Sequence, residues 1–344
     1  MQPEQFFAAS RIAIVAGKGG VGKTTVSAAL ARAAALSGLS TLIIEVEGKS
    51  GLAAAFGKAP LVYEQMVLSE GDGGAIGEVR ARTVTPDDAL IEYLRGHGLA
   101  RLSKRLVNSG ALDVVATAVP GIKDILVLGK VKQIERASAS GRRLGGGTDF
   151  IVLDAPAAGH AITFLQSARG LADAVKVGPI NAQASDVMGL LTDPTRCQVL
   201  LVTLPEETPV NELVETAFNL EDKVGVSLGP VVVNGLYPEL AGLDTDPDAA
   251  AEQAGTSLRA GEADDLAAAA DFRRHRMDLQ RSQLARLADK LPLPQIRLPY
   301  LFDADLRAAH VDELADILIE GISALPALDR PASTTDPHAQ STPA

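Results

Sequence analysis

Gly17-Lys18-Gly19-Gly20-Val21-Gly22-Lys23-Thr24-Thr25 is the stretch on which the fold turns. It follows an apolar run, Ile12–Ala16, and opens onto the helical pattern of Val26–Leu36. Strand, glycine-rich turn and helix, in that order, are the context of a phosphate-binding loop. Gly17, Gly19, Gly20 and Gly22 let the backbone curl, so that its N–H groups, with those of Val21 and Lys23, can cradle a polyphosphate. The helix that follows adds the positive end of its dipole. Lys23 is placed to reach the β- and γ-phosphates, and Thr24 offers a hydroxyl to Mg²⁺, with Thr25 beside it.

Other apolar runs are continuous rather than alternating, as in a parallel sheet buried on both faces. They are Arg11–Ala16, Thr41–Val46, Phe150–Leu153, Val199–Thr203, Pro230–Asn234 and Ile296–Leu298, with Val79–Val84 a weaker one. Helical patterns separate them: Val26–Ser37, Pro86–Arg95, Val210–Asn219, Glu262–Leu291 and Asp305–Ile322. The expected fold is α/β: a doubly wound, mostly parallel sheet of about seven or eight strands. Residues 96–143 and 168–194 break the alternation and read as an inserted helical subdomain over one sheet edge. Residues 240–261 read as a loop, and the acidic run Asp244, Asp246, Asp248 lacks the Gly and terminal Glu of a calcium loop. The expected division is an extension over 1–10, one domain over 11–325 and a disordered tail over 326–344.

Composition narrows the function. The net charge of −11 argues against nucleic acid as a partner. A single cysteine, Cys197, excludes an internal disulfide and fits a reducing compartment. Residues 1–10 lack the regions of a signal peptide, and no apolar run approaches the ~20 residues of a membrane span. A cytoplasmic protein is expected. With aromatics at 3% and no Trp, the core must be built from Ala, Leu and Val.

Two further features carry a resemblance. Lys18 directly follows the first glycine of the loop, and Phe150-Ile151-Val152-Leu153-Asp154 leads into Ala155-Pro156-Ala157-Ala158-Gly159-His160. The second lysine resembles the deviant Walker A group of P-loop NTPases. The Asp-x-Pro followed by Gly-His resembles the second switch of the ATPase family shared by the arsenite pump and the tail-anchored-protein targeting factor. Pro120-Gly121-Ile122-x-Asp124, Leu204-Pro205-Glu206-Glu207 and Val231-Val232-Val233-Asn234 match the same family. So does the loop Pro299–Asp303, which there closes over the base. The match runs from about Arg11 to Leu325 and is similar to a single-domain, cysteine-poor actinobacterial branch.

The resemblance implies a Mg²⁺-dependent ATPase whose two subunits close around ATP. It implies that Lys18 reaches a nucleotide in the partner and that Asp154 stands behind Thr24 at Mg²⁺. Gly159 would offer its N–H to the γ-phosphate, His160 would position the switch, and Asn234 would read the adenine edge. Glu47 falls where the family has the water-positioning aspartate, and Gly48 falls on its proline. Neither the zinc-binding Cys-x-x-Cys nor the arsenite-binding cysteines are present, so arsenite is not an expected ligand. Three readings stay open: a dimeric ATP-driven switch, a weakly hydrolysing subunit paired with an active paralogue, and a targeting chaperone for apolar or membrane-protein segments. Homodimer and heterodimer are equally compatible.

Overall fold

The computed structural model describes residues 1–46, 51–96, 121–139 and 147–327. Its centre is an eight-stranded sheet in the order β3-β4-β2-β5-β1-β6-β7-β8. The strands are β1 (Ile12–Gly17), β2 (Thr41–Val46), β3 (Met66–Ser69), β4 (Val79–Val84), β5 (Phe150–Ala157), β6 (Cys197–Thr203), β7 (Val231–Leu236) and β8 (Gln295–Pro299). All neighbours are parallel except β3, which runs antiparallel to β4 at the edge. β3 is the strand the sequence pattern misses: it is four residues long, and only Leu68 is buried.

The described helices are α1 (Pro3–Ala9), α2 (Lys23–Leu36), α3 (Gly51–Ala55), α4 (Pro86–Gly96), α5 (Ile122–Ala139) and α6 (Ala158–Ala174). They continue with α7 (Pro179–Leu191), α8 (Glu207–Lys223), α9 (Pro247–Gln253), α10 (Glu262–Lys290) and α11 (Ala308–Ser323). α9 lies inside the stretch read as a loop. Pro247 opens it, and the Asp246 carboxylate accepts the Ala249 N–H at 3.0 Å. That acidic residue is therefore a helix cap.

Alternation of side chains along the strands divides the core between the two sheet faces. On one face Ala13, Val15, Ile43, Val152 and Leu200 pack under α2 and α11. Ala28, Ala29, Ala31 and Ala33–Ala35 of α2 are fully buried, because their small side chains let this helix approach both the sheet and α11. Phe6 and Phe7 of α1 join this core, and the Phe7 ring meets Phe150 edge-on at 5.2 Å. Residues 1–10 thus contribute to the core. The other face, Ile12, Ile14, Leu42, Ile44, Ile151 and Leu153, shares one apolar cluster with α5, α6, α7 and α8. Ile125, Leu126 and Leu128 of α5 are buried in that cluster, and α5 packs against α4, α6 and α7. The rest of that apolar stretch, Leu99 to Val115, lies outside the described residues.

Candidate nucleotide site

β1 lies between β5 and β6, so the loop after it is walled by both neighbours. Gly17 ends β1 against β6; a Cβ there would stand 2.3 Å from the Val202 carbonyl oxygen. Gly22 caps α2 at φ 87° and ψ 27°, in the left-handed region, and a Cβ there would meet the Asn234 amide nitrogen at 2.2 Å. Glycine is the residue that satisfies both demands at once. The ladder of α2 starts with Val26 N–H bonding Gly22 O at 2.9 Å. The amides of residues 23–25 precede it, the position from which helix N-termini bind anions.

Lys23 is buried, and its ammonium donates to the Lys18 carbonyl at 2.9 Å, across the loop a phosphate would fill. The Lys18 ammonium bonds Glu212 of α8 at 2.5 Å. Asp154 is 1% exposed and sits opposite Val15 and Glu45 in the register, on the α2 face of the sheet. The Thr24 hydroxyl donates to one of its oxygens at 2.8 Å and the Ser27 hydroxyl to the other at 3.2 Å. Ser27 escapes a motif search, but it stands three residues after Thr24, on the same face of an alanine-rich helix. A hydroxyl and a buried carboxylate at the loop's mouth are hard oxygen donors that suit Mg²⁺.

β5 runs to Ala157, four residues beyond the apolar run that marks it in sequence, and α6 begins at the next residue. Asp154 therefore lies within the strand, and Gly159 is the second residue of α6, where amides have no helical acceptor. Glu47 lies outside the described residues, as do Gly48 and Pro120. Glu45, two residues before Glu47, is buried beside Asp154.

Asn234 differs from expectation in its present contact. Its side-chain amide donates to the Val21 carbonyl at 3.0 Å, so it touches the phosphate loop itself. Just beyond it, Tyr237, Tyr300 and Phe302 form an aromatic group with ring centroids 4.8–5.3 Å apart. The Arg273 guanidinium lies 4.4 Å from the Tyr237 ring centre. Tyr300 and Phe302 are exposed, which the spacing of these residues did not announce. Cys197 is fully buried at the start of β6, and burial pushes its thiol up to about 12.

A family model described as anion-transporting ATPase matches residues 10–188, which hold the loop, Asp154 and Gly159. The chain belongs to this family. Against ATPase BagA of Mycobacterium tuberculosis it is 32% identical over 324 residues, covering 90% of this chain and 93% of that one. An arsenical pump-driving ATPase of Escherichia coli is 30% identical over 208 residues, 60% of this chain and 31% of that protein. ATPase get3 of Neurospora crassa is 27% identical over 204 residues, 58% of this chain and 54% of that protein. Family and relatives agree with the loop: this anion-transporting ATPase family member is an ATPase with a nucleotide substrate. Among the described residues, no helix is long and apolar enough to cross a membrane.

Proposed function

We propose that this chain is a Mg²⁺-dependent ATPase that acts as an ATP-driven dimeric switch. The observation that carries the reading is the pair of contacts at one loop: buried Lys23 spanning it, and Thr24 held on Asp154. Lys23 and the loop amides, Gly17 to Thr25, bind and orient the polyphosphate. Thr24 and Asp154 hold Mg²⁺, which neutralises charge on the phosphate oxygens when bound. Gly159 offers an amide to the terminal phosphate, and Glu47 orients the attacking water. Lys18 adds positive charge to the site of a partner subunit, as arginine fingers do. The aromatic group beside Asn234 takes the adenine ring, whose faces favour stacking on Tyr and Phe.

One sequence feature favours a second reading. Glu47-Gly48 places a longer carboxylate on a freer backbone, which fits a slowly hydrolysing subunit of a heterodimer with a paralogous ATPase. The chaperone reading gains no support from the described part of the helical region, where Ile125, Leu126, Leu128, Leu171, Val187 and Leu190 are spent on the protein's own core.

Turnover and light scattering, measured together with MgATP, test the proposal. Lys18→Ala should keep nucleotide binding and slow turnover by roughly 10³–10⁵-fold. A monomer of parental activity would refute the dimeric switch. Glu47→Gln should stop hydrolysis with MgATP still bound. Parental turnover would remove Glu47 from the mechanism.

A further inference from the structure

We propose that Glu212 is a positioning residue for Lys18, holding it on its own chain until a phosphate in the partner subunit replaces the carboxylate. The inference rests on the reading of Lys18 as partner-directed.

The topology brings the two residues together. Lys18 follows β1 and Glu212 lies in the second turn of α8, which follows β6; β1 and β6 are neighbours. The residues are 194 apart in sequence, yet their charged atoms are 2.5 Å apart. Both phosphate-directed lysines of the loop thus rest on oxygens of the protein. The Lys23 ammonium donates to the Lys18 carbonyl, and the Lys18 ammonium pairs with a carboxylate. A carboxylate is the side chain nearest in charge and hydrogen-bonding capacity to a phosphate oxygen, and it holds an ammonium more strongly than a neutral oxygen does.

The anchor is fixed and the lysine is the part free to change partner. α8 is seated by its own buried face, Val210, Leu213, Ala217 and Leu220, in the core, which holds the helix that carries Glu212 in place. Glu212's own backbone oxygen accepts the Thr216 hydroxyl at 2.6 Å. The contact is also weak enough to exchange. The two side chains are 36% and 41% exposed, and ion pairs so exposed shift an equilibrium by no more than about fivefold. A triphosphate within an enclosed dimer outbids such a pair, whereas a buried one would trap the lysine.

Glu212→Gln keeps the shape and removes the charge. With MgATP, it should lower the protein concentration at half-dimerisation by up to about fivefold, read by light scattering. In the Lys18→Ala background the same substitution should change nothing. No shift in the parent background, or an equal shift in both backgrounds, overturns the proposal. The two readings separate cleanly. If Lys18→Ala cripples turnover but Glu212→Gln leaves dimerisation unchanged, only the holding role falls. If Lys18→Ala leaves both turnover and dimerisation at parental values, Lys18 is not partner-directed and the holding role falls with it.

Discussion

The two ends of the central sheet use charge in opposite ways. At the carboxyl end, the Lys23 ammonium donates to a carbonyl and the Lys18 ammonium pairs with an exposed carboxylate, contacts that a phosphate would replace under the proposed function. At the amino end, Glu135 of α5 is 2% exposed and held by two arginines, Arg11 at 2.9 Å and Arg196 at 2.6 Å. Burial alone would raise the Glu135 carboxyl, but the hydrogen bond and charge of Arg196, with those of Arg11, overcome it and hold the group below the usual carboxylate range. Cys197 lies beside this clamp, next to Arg196, and is itself fully buried. The difference teaches where function can live: charges with provisional partners serve ligands, and charges with lasting partners fasten α5 to the sheet.

Breaking the provisional end should have the largest effect. Lys23→Ala should cut single-turnover hydrolysis by about 10²–10³-fold or more, while stability read by urea unfolding falls by no more than about 3 kcal/mol and the protein stays folded. A large stability loss with modest kinetic loss would invert the comparison.

Breaking the lasting end should do the reverse. Glu135→Gln should cost about 1–3 kcal/mol at pH 7, with turnover per folded molecule unchanged. Because the folded carboxyl titrates below its unfolded value of about 4.3, its contribution is present above that value. It is lost as pH falls through the depressed folded value. The gap between parent and variant in urea unfolding should therefore close in acid. A gap that stays constant as pH falls from 7 to the acid limit of the folded state would mean that packing rather than charge holds α5.

A smaller effect sharpens the provisional end. Asn234→Ala removes one hydrogen bond to the loop and should weaken ATP about fivefold. Calorimetry with inorganic tripolyphosphate separates two roles: a loop support weakens both ligands alike, and a reader of the base alone spares tripolyphosphate. The smallest effect concerns Cys197. With its thiol up at about 12 and no exposure, it should resist a thiol reagent in native protein at pH 8 and react fully in denaturant. Ready native labelling would show that the amino end opens.

What the sequence disclosed follows from how narrowly physics restricts each position. Gly22 must accept a left-handed backbone and leave room for Asn234, so its identity is visible without coordinates. Asp154 ends an apolar run, and few reasons exist for a carboxylate there. The start of α2 is less visible: its first turn is Lys23-Thr24-Thr25, and the two threonines are weak helix formers. α9 had its sign in Asp246-Pro247, but Ala, Asp and Glu around it carry no apolar stripe. Glu212 and Glu135 left no trace, because a charge pair across 194 or 124 residues has no period to detect.

β5 passes into α6 without an intervening residue: the strand ends at Ala157 and the helix begins at Ala158. Such a junction is a rod without slack. Under the role proposed for Gly159, a displacement of its amide would meet no intervening loop before the rest of α6. α6 in turn packs on α5 and α7. α5 and α7 are thereby in mechanical series with the end of β5, so their compliance bears on how far a displacement there can travel.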